Sequence, residues 1–161
     1  MRSILSVGVV IMLGCTGAPR DEAAAGADTA FAALQARGEV AMGVDQYTST
    51  HVFESLPDGG RIVLQRDSVD FADTEVIRSH MRDIAARFAT GDFTIPGMVH
   101  AQEVPGTTEM SACRGLIRYV ADTLPRGAQV RITTTDAGAV TAIHAFLAFQ
   151  RMDHHAAGHA P

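Results

Sequence analysis

Histidine and methionine carry most of the chemistry open to this chain. Its 161 residues include seven His and seven Met. Imidazole is the commonest transition-metal ligand, and thioether sulfur favours Cu(I). His51, His80, His100 and Met98 form a mixed set suited to copper, with zinc as the other ion that imidazole serves well. Within that set no two histidines stand at a short ligand spacing such as His-x-x-x-His, so the fold itself must assemble the site. Each ring also has a plainer explanation. His51 suits a half-exposed sheet position, while His80 and His144 suit the boundary of a helix's apolar stripe with the ring bonded to a backbone carbonyl. His154, His155 and His159 form a His-rich tail of the kind that picks up Cu, Ni or Zn weakly.

Other chemistries find less support. The chain has no Gly-x-Ser-x-Gly elbow, no Gly-x-x-x-x-Gly-Lys phosphate loop and no His-Glu-x-x-His. Cys113 follows Ser111 and Ala112 in a short helical stretch, where a cysteine behaves as a small apolar residue. No catalytic residue is assigned, and the expectation is a binding module rather than an enzyme. All thirteen basic residues are Arg, scattered among eighteen acids for a net charge of -5. Nucleic-acid binding wants clustered positive charge, so no nucleic-acid partner is expected.

The N-terminus reads as an export signal. Arg2 supplies the positive region, Ile4 to Leu13 an apolar run, and small residues follow. The run is far shorter than the roughly 20 residues of a spanning helix. Leu13-Gly14-Cys15 resembles a bacterial lipobox, with Met12 where Leu is usual, which implies lipidation of Cys15. Ordinary cleavage near Thr16-Gly17-Ala18 is the alternative. Both place the protein outside the cytoplasm: as a lipoprotein anchored in the membrane and facing the periplasm or exterior, or as a secreted protein.

Four regions follow: a signal segment 1–15, a flexible tether 16–28, one α+β domain 29–155 and a disordered tail 156–161. Asp28 is placed to cap a first helix through Phe31, Leu34 and Val40. Residues 47–55 read as a strand, Leu56-Pro57-Asp58-Gly59-Gly60 as a turn and 61–66 as the returning strand. A helix from about Asp73 to Thr90 places Ile77, Met81, Ile84 and Phe88 on one face, and Gly91 stops it. The order then repeats. Leu116 to Thr123, the turn Leu124-Pro125-Arg126-Gly127 and Gln129 to Thr134 precede a helix capped by Asp136. Tandem ββα units imply a four-stranded antiparallel sheet with two helices packed on one face. Residues 92–115 are less regular, with Pro96 and Pro105 breaking any long element and Thr107 or Thr108 opening a short helix.

The segments MGVDQYTSTHVF (42–53) and IHAFLAFQRMDH (143–154) resemble a family of short, mostly uncharacterised exported bacterial proteins. The likeness runs through the LPDGG hairpin, IRSHMRDIAARFATGDF and Met98-Val99-His100, covering roughly 40–155. Some members are labelled aspartate carbamoyltransferases, but the Ser-x-Arg-Thr motif of true transcarbamoylases is absent from this chain. The resemblance singles out His51, His80, His100, His144 and His154 without giving any of them a role. Two readings stay open: an exported domain holding copper or zinc through histidines, or a non-catalytic module that binds an envelope protein by strand addition.

Overall fold

The computed structural model describes residues 20–156. The expected signal segment with Cys15, residues 16–19 of the tether and residues 157–161 of the tail lie outside the described residues. Strands β1 (Ser49–Leu56), β2 (Gly59–Arg66), β3 (Ile117–Leu124) and β4 (Gly127–Thr134) form one antiparallel sheet. The helices are α1 (Arg20–Met42), α2 (Phe71–Thr90), α3 (Thr94–His100), α4 (Thr107–Ala112) and α5 (Ala137–Asp153). The α+β class and the tandem ββα order expected from the sequence are both present. Among the described residues no helix is long and apolar enough to cross a membrane.

Capping sets the helix ends. Asp70, three residues ahead of the expected start, accepts from the Asp73 amide at 3.0 Å and opens α2. Gly91 closes it at φ 83 in the left-handed region. Asp136 accepts from the Ala139 amide at 2.8 Å and opens α5 as expected. Helix α1 differs more. It reaches back to Arg20 because the Ala-rich run before Asp28 has high helix propensity, so residues expected as tether join the helix. Helix α3 is a seven-residue element in the stretch where the prolines were expected to break only long ones. Pro96 stands in its first turn, where the missing amide has no intrahelical partner to lose.

The strand order β1-β2-β4-β3 places the two returning strands side by side at the centre. Pairs Gly60–Ile132, Ile62–Val130 and Leu64–Ala128 join the units. The junction continues into the turns, where the Thr134 amide donates to the Asp58 carbonyl and the Arg66 amide to the Arg126 carbonyl, both at 2.9 Å. Helix α2 packs chiefly across β3 and β4, and α5 across β1 and β2. Each unit's helix therefore covers the other unit's hairpin, and neither unit closes a core alone. Ile77, Phe88, Val130, Ile132, Ile143, Phe146 and Leu147 are fully buried between the layers.

This junction demands glycine. A Cβ on Gly127 would collide with the Leu64 carbonyl oxygen, a backbone atom that cannot step aside. Gly127→Ala should cost about 1–3 kcal/mol, the usual range for overpacking, in urea denaturation. Gly115, with nothing within 4 Å of a Cβ, is the control. Its Ala variant should stay within about 0.5 kcal/mol of the parent.

Candidate functional site

Between the β1–β2 side of the sheet and the helices lies a cavity of about 80 Å³. Four histidines line it: His51 on β1, His80 on α2, His100 at the end of α3 and His154 just past α5. Met42 of α1 and Met81 of α2 supply thioethers, Gln46 and Gln150 supply amides, and the remaining side chains are apolar. The local patterns that place these groups are simple. Strand alternation puts His51 on the same face as buried Phe53. Helical spacing puts His80 beside the Ile77, Met81, Ile84 stripe, and His154 in line with Ile143, Phe146, Leu147 and Gln150. Gly38 leaves room for the buried Gln46 side chain, whose Oε1 a Cβ there would meet at 3.0 Å.

The rings pack on one another. His51 and His154 stack with centroids 5.1 Å apart, Phe53 stacks on His154 at 5.5 Å, and His100 meets His154 edge-on at 5.0 Å. His100 is the one with both nitrogens engaged. Its nitrogens face two acceptor oxygens, Asp153 Oδ2 at 2.5 Å from Nδ1 and Gln150 Oε1 at 2.8 Å from Nε2. Asp153 thus orients the ring, and neither nitrogen is left for a ligand. By contrast, His154 Nδ1 and Gln46 Oε1 are buried with no hydrogen-bond partner among the described residues.

Burial decides the protonation of the others. Desolvation, and secondarily the neighbouring His80, lowers His51 from 6.5 to about 4. His154 falls to about 3, first through desolvation and then through His51, His100 and His155. Burial lowers His80 as well, opposed by the Asp83 carboxylate. Burial thus favours the neutral form of all three rings at pH 7.

Three of the four residues expected to form a site therefore meet in one cavity, while Met98 does not. Met98 is 51% exposed and absent from the cavity wall, because α3 turns it outward. The sequence reading gave Met42 and Met81 no ligand role and counted His154 with the tail, although the resemblance singles that histidine out. Their signal was periodicity, since each continues a stripe of buried residues. His144 has the plain role foreseen for it, donating Nε2–H to the Leu56 and Gly59 carbonyls at 2.9 and 3.0 Å and so pinning the first hairpin. His155 stacks on Phe31 at 4.4 Å and lines a second, more polar cavity with Arg37, Gln102 and Asp153. His100 forms part of the wall of both cavities. Cys113 is a free thiol packed against the core.

Among the described residues, no three His, Cys, Asp or Glu side chains already stand as a group able to hold a metal ion. Neither family models, nor characterised proteins, nor solved structures give a match to this chain.

Acid should expose the strain in this cluster. The folded pKa values of His51 and His154 lie below the unfolded value of 6.5. The unfolded chain therefore binds more protons between those values, and stability is complete above pH 6.5 and lost as pH falls toward 4. Each group contributes a slope of up to about 1.4 kcal/mol per pH unit. Urea midpoints measured from pH 7.5 to 4.5 should fall, and fall less in His154→Phe; an equal decline in both chains would remove His154 from the account.

Proposed function

We propose that this is a small exported binding domain, tethered through Cys15, whose histidine cavity takes up a transition-metal ion of the copper class. The observation that carries the reading is the gathering of His51, His80 and His154, all neutral, around one cavity beside two thioethers. Neutral imidazole and thioether are the donors that copper favours. A volume of about 80 Å³ is also well below the roughly 300–1,000 Å³ of pockets that take organic ligands and cofactors.

The ring positions suit this use and the ring orientations do not yet. Two imidazoles sharing a tetrahedral ion, with metal–nitrogen bonds near 2 Å, have centroids about 5 Å apart. His51 and His154 stand 5.1 Å apart but stacked at 23°, so their nitrogens do not converge. A shared ion therefore requires both rings to turn from the stacked arrangement. His100, held by Asp153 and Gln150, acts as the fixed wall against which the others turn.

The alternative, recognition of an envelope protein by strand addition, draws on β1 and β3, which pair on one side only among the described residues. Open edges belong to any four-stranded sheet, whereas a buried imidazole cluster is unusual. The cavity is the better guide.

The test is copper titration of the chain carrying His155→Ala and His159→Ala, which silences the tail. One ion per chain should bind, and adding His51→Ala and His154→Ala should abolish it while circular dichroism stays unchanged. Copper uptake that is indifferent to the second pair of substitutions sinks the reading.

A further inference from the structure

Beyond the imidazole cavity, we infer that the second cavity is a binding site for a small zwitterion, an α-amino acid with an apolar side chain. Its volume of about 350 Å³ lies inside the roughly 300–1,000 Å³ of pockets that take organic ligands. Two opposite charges carry the argument. Arg37 of α1 and Asp153 at the end of α5 both line this space. They form no salt bridge with one another, and Arg37 forms none with any described residue. Each is pinned to one short stretch of chain. Arg37 Nε donates to the Val99 carbonyl at 2.6 Å, and Asp153 Oδ2 lies 2.5 Å from Nδ1 of the residue after it, His100. Both charges are thus held around His100, while the terminal nitrogens of Arg37 and Asp153 Oδ1 are bonded to no described residue.

A guanidinium fork matches a carboxylate with two parallel bonds, and a carboxylate oxygen accepts from an ammonium group. A plain carboxylate would meet Asp153 as a like charge, and a plain amine would meet Arg37 so. A zwitterion answers both. The rest of the wall suits a small apolar side chain. Ala27, Ala30, Phe31 and Leu34 line the cavity at helical spacing along one face of α1, and the two alanines keep that face shallow. His155 stacks on Phe31 with ring planes only 4° apart. The backbone is strained at the same place. Ala101 (φ 53) and His155 (φ 50) are the two non-glycine residues with positive φ among the described residues. Ala101 joins His100 to Gln102, both in the cavity wall, and His155 lines it directly. Backbone strain of this kind gathers at ligand sites.

The experiment is isothermal titration calorimetry of the full chain, in EDTA to keep metal away, with three probes of one shape. L-Leucine carries both charges, isocaproate lacks the ammonium group and isoamylamine lacks the carboxylate. L-Leucine should bind one per chain, and each of the others about tenfold more weakly or worse, as loss of a charge-assisted hydrogen bond implies. Ala30→Trp adds bulk at an exposed position and should abolish binding with circular dichroism unchanged. Asp153→Asn should erase the preference for L-leucine over isocaproate. No saturable heat with L-leucine, or binding unchanged in Ala30→Trp, overturns the site. Isocaproate bound as tightly as L-leucine overturns the zwitterion, and a preference that survives Asp153→Asn overturns the part given to that carboxylate. None of these outcomes bears on copper uptake, which its own titration decides.

Discussion

An imidazole taken out of water gives up its hydrogen bonds to solvent, and the loss is repaid only if something inside meets its nitrogens. Four such rings stand around one cavity, and the fold answers for them unequally. His100 is held at both nitrogens by Asp153 and Gln150. His154 keeps one nitrogen buried and unmet, and burial holds it and His51 neutral far below the ordinary histidine range. A core built only for stability would fill this space with Leu or Phe. The unanswered lone pairs are what a ligand can satisfy, and the rest of the structure determines which ligand.

That structure is an exchange between two ββα units. Because α5 covers β1 and β2 while α2 lies mainly over β3 and β4, the end of α5 is delivered to the start of β1. His154 and His51 meet for that reason, though a hundred residues separate them. Helix α1 then closes the cavity from a third direction, held to α3 by Arg37 Nε donating to the Val99 carbonyl at 2.6 Å. The glycines at the β2–β4 junction permit the close pairing that makes the exchange possible. The site is thus a consequence of the topology, and no single segment contains it.

This explains what could be read from the sequence and what could not. The hairpins, the stripe of α2 and the cap of α5 are local patterns of turn residues and periodicity, and they appear where residues 57–60, 77–88 and 136 place them. The type of the sheet followed from the repeat. The convergence of His51, His80 and His100 did not follow from any spacing, since it depends on strand order and on which hairpin each helix covers. His154 looked like a tail residue because Asp153-His154-His155 ends the apolar stripe, yet it falls in register with Gln150 and Phe146. Met98 drew notice because it neighbours His100 in sequence, but on α3 the two side chains leave the helix in different directions. A tether was expected over residues that are helical from Arg20, where alanine content outweighed the reading of Gly and acid as linker.

The central claim is that His51, His80 and His154 share one ligand while His100 and His144 keep their protein partners. Nitrogen-15 NMR of the imidazoles, on addition of one equivalent of Ag(I) as a diamagnetic stand-in for Cu(I), reads each ring separately. The account predicts that the nitrogens of His51, His80 and His154 move together to saturation at one ion per chain, with His100 and His144 nearly still. Shifts confined to His155 and His159 would contradict it.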